Sequence, residues 1–178
     1  DLDEYYYRPF MACAQEGGVA GSMCSYNAVN GVPSCVNEGL LKDTLRNDWG
    51  FHGYVTSDCG ALDDVHTFHR YTQSPIQPAA LALNASTNLN CGRIYLEYLP
   101  VAVDQGFIPD RAIDESFRRL VEVQMKLGLY DRNKNETRFA TLGINDIDSE
   151  SHRSLALEAS EQRIDLLKNV NNTDLPLA

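Results

Sequence analysis

Asp58 is the residue with the most direct claim to chemistry. It closes the run Gly53-Tyr54-Val55-Thr56-Ser57, which is short and made of apolar or small residues, and Cys59-Gly60-Ala61 follows it. In parallel α/β folds function collects where strands end and loops begin. A carboxylate at such a tip points into the pocket, where it can attack an electrophile or stabilise a cation. The competing reading is a helix N-cap, a position aspartate also favours. Tyr26 ends the preceding candidate strand and would flank Asp58, donating a hydrogen bond that holds a carboxylate ionised; ordinary rim packing is the alternative. Met23 would line the same wall, unless it is a core methionine. Cys24 and Cys35 enclose one short loop, and a bridge between them would staple it at about 2–3 kcal/mol on a chain-entropy estimate. Cys59 and Cys91 would lie at adjacent strand tips, within bridging reach, leaving Cys13 free. Five buried thiols remain the alternative. No CxxC or HxxxH pair occurs, and His66 and His69 lack a third ligand nearby in sequence, so no metal is assigned.

The elements that must position these residues follow from pattern. Val19 to Tyr26 reads as a buried strand stopped by Asn27 and Asn30-Gly31. A helix starts at the good N-cap Asn37, carries Leu40, Leu41, Thr44, Leu45 and Trp49 on one face, and stops at Gly50. Gly53 to Ser57 is the next strand, and a polar loop with His66, His69 and Tyr71 follows it. Ser74-Pro75-Ile76-Gln77 has the form of a capping box opening a helix. A third strand is expected over about 86–90, then helices over roughly 94–105 and 110–127. Strands about 32 residues apart have the pitch of βα units in a parallel sheet or barrel. A full (β/α)8 barrel needs roughly 250 residues, so three units are its tail. From about Arg132 the chain turns polar, and a last helix over about 151–163 and a short extended piece over 164–167 lead towards a second domain.

Composition sets the outer bounds. The 178 residues carry 15 Lys+Arg against 25 Asp+Glu, a net charge of -10. With 43% hydrophobic and 22% charged residues the chain should be globular. The acidic balance argues against nucleic acid and against an anionic membrane surface. No apolar run approaches the roughly 20 residues of a membrane span. The first residues lack the charged and apolar regions of a signal peptide, and the expectation is a fragment of a larger protein. Three sequons, at Asn84, Asn135 and Asn171, are weak pointers to the secretory route.

The segment Ser22-Met23-Cys24-Ser25-Tyr26-Asn27-Ala28-Val29-Asn30-Gly31-Val32-Pro33-Ser34-Cys35 strongly resembles one of the family 3 glycoside hydrolases, and so does Gly53 to Ala61. The Ser57-Asp58-Cys59 form resembles the β-xylosidase/α-arabinofuranosidase branch; the β-glucosidase branch usually carries Ser-Asp-Trp. Similarity continues through Asn90-Cys91-Gly92, Val123 to Asp131, Leu166-Leu167-Lys168-Asn169 and Leu175-Pro176-Leu177. The resemblance implies an α/β fold, the C-terminal part of a (β/α)8 (TIM) barrel with a linker leading to an α/β sandwich domain. Residues 1–130 would be the last βα units, 131–150 the linker and 151–178 the start of the sandwich. It implies Asp58 as the nucleophile of a retaining, exo-acting hydrolase that releases terminal β-D-xylose. Met23, Tyr26 and Cys59 would bind the terminal sugar, with Cys24–Cys35 and Cys59–Cys91 as family disulfides. No cofactor is implied. The partners are a glycoside or oligosaccharide and the remainder of the same polypeptide, and the location is secreted, in the cell wall or vacuole. The family's acid/base Glu would lie beyond Ala178 and its Lys-His pair before Asp1, so this span alone should be inactive.

Four positions depart from the family pattern. Ala-Gly-Thr-Asp becomes Ala85-Ser86-Thr87-Asn88, and Gly-Ile-Val-Leu-Leu-Lys-Asn becomes Arg163-Ile164-Asp165-Leu166-Leu167-Lys168-Asn169. A buried Asp165 would cost several kcal/mol. If Asn84 is buried beside the sheet, a glycan there would be incompatible with folding, so that sequon is expected to stay unmodified. Alternatives are a β-glucosidase of the same family and a catalytically degenerate sugar-binding paralogue.

Overall fold

A computed structural model describes residues 1–133, 137 and 139–169, which fall into two compact units, Asp1–Asp131 and Arg132–Ala178. The sequons at Asn135 and Asn171 and the Leu175-Pro176-Leu177 motif lie outside or partly outside the described residues.

In the first unit, β1 (Gly21–Cys24) pairs in parallel with β4 (Tyr54–Ser57), in the register Gly21↔Tyr54 to Cys24↔Ser57. Gly53 leads into β4 because the chains approach closely there. A Cβ at that position would meet Ala20 O at 2.2 Å. The expected third strand shrinks to one parallel bridge, Thr56↔Leu89. Ser86 at φ +77 breaks the extended path before it. The ladder is nonetheless complete enough to order the segment, with Leu89 N–H on Val55 O (3.0 Å) and Ser57 N–H on Leu89 O (2.8 Å). Between β1 and the next helix lies a small antiparallel hairpin, β2 (Ala28–Val29) with β3 (Val32–Pro33). Asn30 and Gly31 turn it at φ 51 and 85, as a primed two-residue turn requires.

Helices cover the strands. A segment Leu2–Tyr6 runs into α1 (Tyr7–Gln15). The helix Gly39–Asp48 begins under the Asn37 cap, whose Oδ1 accepts Leu40 N–H at 3.1 Å, and Gly50 at φ +69 ends it. The first part of the stretch expected as a polar loop, with His66, is a helix, α2 (Ala61–Thr67), while His69 and Tyr71 lie in a loop as expected. Leu62 and Val65 are wholly buried on one of its faces, and these two apolar residues outweigh a polar composition. In α3 (Ile76–Asn84) the expected capping box does not form: Gln77 Oε1 reaches past Ser74 to accept Gln73 N–H at 2.8 Å, and no side chain caps the helix. Then come α4 (Ile94–Asp104) and α5 (Asp110–Lys126), which Gly128 follows at φ +75. Val55, Leu62, Val65, Ala79, Ala82 and Ala85 form the fully buried centre between strands and helices. Asn84 is exposed, so the condition under which its sequon would stay unmodified is not met: it ends α3 on the side away from this centre.

Both expected disulfides are present, Cys24–Cys35 and Cys59–Cys91, with Cα–Cα distances of 5.1 and 4.4 Å, and Cys13 is free and exposed. The thiols are therefore not five buried ones. The chain-entropy estimate for the wider loop is about 3–4 kcal/mol.

In the second unit, α6 (Glu150–Gln162) starts at Ser149, whose side chain accepts His152 N–H at 3.3 Å. Residues 164–169 form no strand, and Arg163 and Asp165 are exposed within this span. No helix among the described residues is long and apolar enough to cross a membrane.

Candidate active site

Parallel pairing brings the strand tips level. Asp58 extends the ladder, its N–H bonding Cys24 O at 3.1 Å, and Tyr26 stands two residues past Cys24. The Tyr26 hydroxyl lies 3.0 Å from Asp58 Oδ1 and 2.7 Å from Cys59 O. A phenol carries one proton, and both neighbours only accept, so the hydroxyl serves one of them at a time. Hydrogen bonding to Asp58 is the main cause that raises the Tyr26 phenol above its ordinary range, followed by burial and the charges of Asp58 and Asp64. Tyr26 is therefore a neutral donor at physiological pH. Asp58 Oδ1 also accepts Cys59 N–H at 2.7 Å. Oδ2 makes no hydrogen bond among the described residues.

This arrangement separates the two readings of Asp58. Its backbone carbonyl accepts Ala61 N–H at 3.1 Å, but its side chain caps no N–H of α2. The turn is instead made by Gly60 at φ +82, whose N–H bonds Cys91 O at 2.8 Å. The carboxylate is left half-buried with one oxygen committed and one open.

Ser57, which sequence reasoning passed over, builds the neighbouring wall. It is 1% exposed, and its Oγ accepts Cys91 N–H at 2.9 Å and Asn90 Nδ2 at 3.1 Å. Those bonds hold the Asn90-Cys91 turn, and the Cys59–Cys91 bridge then fixes the residue next to Asp58. The available signal was strand alternation: a serine at an inward position at a strand tip has to find partners. Met23 does not share this geometry. It is 61% exposed and lines a cleft of about 470 Å³ with Tyr6, Phe10, Ser25 and Trp49, and Asp58 is not among that cleft's walls.

His66 and His69 part company. The His66 ring bonds Thr72 O through Nδ1 at 3.0 Å, and His69 Nε2 bonds Tyr26 O at 2.8 Å. Both carbonyls accept, so both ring nitrogens donate.

At the opposite, N-terminal ends of the same strands sits Arg46, only 9% exposed. Its guanidinium bonds Gly53 O (2.9 Å), Phe51 O (3.4 Å), Ser86 O (3.1 Å), Asn88 Oδ1 (2.7 Å) and Ser86 Oγ. No carboxylate among the described residues hydrogen-bonds it. Burial, with Arg119 nearby, lowers it to about 10.

Residues 1–123 match the glycosyl hydrolase family 3 N-terminal domain. A probable beta-D-xylosidase 6 of Arabidopsis thaliana is 43% identical over 169 residues, covering 95% of this chain and 21% of that protein. A probable exo-1,4-beta-xylosidase of Neosartorya fischeri is 41% identical over 180 residues, covering 99% and 23%. Among solved structures, a GH3 exo-beta-xylosidase in complex with a xylobiose aziridine activity-based probe superposes with a TM-score of 0.84 at 32% identity, over 98% of this chain and 23% of that one. A beta-glucosidase from Listeria innocua gives 0.79 at 27% identity, over 97% and 23%. The chain thus spans between a fifth and a quarter of the length of the relatives it matches.

Proposed function

The chain belongs to glycosyl hydrolase family 3, as part of its N-terminal (β/α)8 domain, and from that premise we propose that the complete polypeptide is a retaining, exo-acting β-xylosidase with Asp58 as its nucleophile. One observation carries the reading: a strand-tip carboxylate whose Oδ1 takes two donors while Oδ2 is open, beside a bridged cysteine pair. Oδ2 attacks the anomeric carbon of the terminal sugar. The bond to the leaving oxygen breaks, and a carboxylic acid elsewhere in the polypeptide protonates that oxygen. Water, deprotonated by the same group, then attacks the anomeric carbon, the ester bond breaks, and Asp58 is regenerated as carboxylate. While Asp58 is an ester its oxygens accept more weakly, and the Tyr26 hydroxyl has Cys59 O as its other acceptor. Cys59 and Tyr26 border the sugar, with Met23 on the same side of the sheet as a further wall once the remaining barrel strands are in place. The linker over 131–150 and the sandwich entry over 151–178 belong to the same proposal. Two disulfides support an oxidising, secretory location.

Backbone similarity extends to β-glucosidases, so the choice of sugar rests on side chains. The Cys59–Cys91 bridge occupies space that a hexose hydroxymethyl would need, which favours xylose. Ser86 and Asn88, the departures that suggested a degenerate paralogue, lie at the strand ends remote from Asp58. The test is labelling of the complete enzyme with a 2-deoxy-2-fluoro-xylosyl fluoride. A covalent adduct is expected on the peptide holding Asp58, with slower inactivation by the glucosyl analogue; an adduct on another carboxylate removes the assignment.

A further inference from the structure

We propose that His69 is a positioning residue for this site, acting through the backbone of Tyr26; this rests on the reading of Asp58 as nucleophile. Tyr26 lies in the loop beyond β1, is 45% exposed, and belongs to no regular element. A phenol on such a loop reaches a carboxylate at hydrogen-bond distance only if the loop itself is fixed. The Cys24–Cys35 bridge and the Ser25 Oγ bond to Asn27 Oδ1 (2.6 Å) hold its flanks, and two further sets of bonds hold its middle. Downstream, Asn27 O accepts Ser34 N–H (3.0 Å) and Ser34 Oγ (2.7 Å). At Tyr26 itself, the carbonyl accepts His69 Nε2–H at 2.8 Å, and this is the only side-chain bond to the Tyr26 backbone among the described residues.

His69 is well placed to act as a fixed post. It follows α2, whose Leu62 and Val65 are wholly buried. Its own N–H bonds Asp64 O at 2.7 Å, and Tyr71 N–H bonds Val65 O at 2.9 Å. Arg70 between them adopts φ +52, a left-handed geometry uncommon for a non-glycine residue. That reversal turns the ring back across the strand tips towards Tyr26. The result is a closed circuit through two adjacent βα units: Asp58 to α2, α2 to His69, His69 to Tyr26, and Tyr26 to Asp58. A serving hydroxyl that drifts by about 1 Å can cost up to about 10²-fold in rate.

The experiment is a double-mutant cycle in the complete enzyme, with kcat and KM for an aryl xyloside and the thermal midpoint read for each variant. His69→Ala is expected to lower kcat about tenfold, within the about 10²-fold cost of an ångström misplacement, with KM changed less than threefold. His69→Gln places an amide donor in reach of the same carbonyl and is expected to recover most of that loss. In a Tyr26→Phe background, which lacks the hydroxyl to be positioned, His69→Ala should cost almost nothing more. A merely structural histidine would give multiplying losses in the two backgrounds and no recovery with glutamine at equal thermal midpoint. Either result overturns the inference, and so does wild-type kcat in His69→Ala. Should His69→Ala not fold, His69→Leu, which keeps bulk but has no donor, takes its place in the same cycle with Tyr26→Phe. Failure of the nucleophile assignment itself reads differently, as near-normal turnover after substitution of Asp58.

Discussion

The two ends of the same three parallel segments handle charge in opposite ways. At the C-terminal end a carboxylate is half-buried, has one oxygen held by Tyr26 and Cys59, and keeps the other open. At the N-terminal end a guanidinium is buried, and all its donors are bound to neutral oxygens. An uncommitted group in water-accessible space is able to react. A fully committed one in the interior can only hold things in place. The difference is that between a site and a clamp, and in a parallel α/β fold it follows strand direction.

The largest expected effect is at the open end. Asp58→Ala in the complete enzyme should lower kcat/KM for an aryl xyloside by about 10⁴–10⁶, as loss of a covalent nucleophile does, while the thermal midpoint stays close to wild type. Retained turnover would show that the poised carboxylate is not the reacting one. At the clamp, Arg46→Met leaves several buried acceptors unmade at about 1–3 kcal/mol each, partly repaid by entering water, so a loss of about 3–5 kcal/mol is expected in chemical unfolding. The kcat/KM of the enzyme that remains folded should be unchanged, which distinguishes clamp from site. The smallest effect sharpens the same contrast. Asn88→Asp offers Arg46 a charged partner at the 2.7 Å contact and should add about 1 kcal/mol, the margin between charge-assisted and neutral hydrogen bonds. Its sign follows from linkage. The folded-state pKa of such an aspartate falls below the unfolded value of about 3.9, so the gain is present above that pH and disappears as pH falls through the folded value. The burial cost of Arg46, lowered to about 10, persists in full at all lower pH and is relieved only as pH rises beyond it. A flat or negative change at pH 7 would mean that the neutral acceptors already satisfy the cation.

Reading the chain alone succeeded where physics is local. Asn37 capped its helix, Gly50 and Gly128 stopped theirs, and Asn30-Gly31 marked a turn, because capping and positive φ depend on a few neighbouring atoms. It failed where distant contacts decide. Two buried residues, Leu62 and Val65, made a helix of a stretch that reads as polar loop, and Ser86 at φ +77 cut short an expected strand because its carbonyl and hydroxyl are held by Arg46, forty positions away. Within the site, Asp58, Tyr26 and the cysteines were legible from residue type and strand-tip position. Ser57 and His69 were not, since a serine or histidine declares its partner only once the fold has brought that partner near.

Residue order therefore determined which groups stand at the strand tips and which cysteines fall within reach of each other. It did so because side-chain alternation and the pitch of a βα unit are properties of the backbone itself. Only the folded molecule decided which oxygen of Asp58 is taken, which ring nitrogen of His69 donates, and that Arg46 hydrogen-bonds no carboxylate among the described residues, because hydrogen-bond pairing at about 3 Å depends on positions that sequence spacing does not encode.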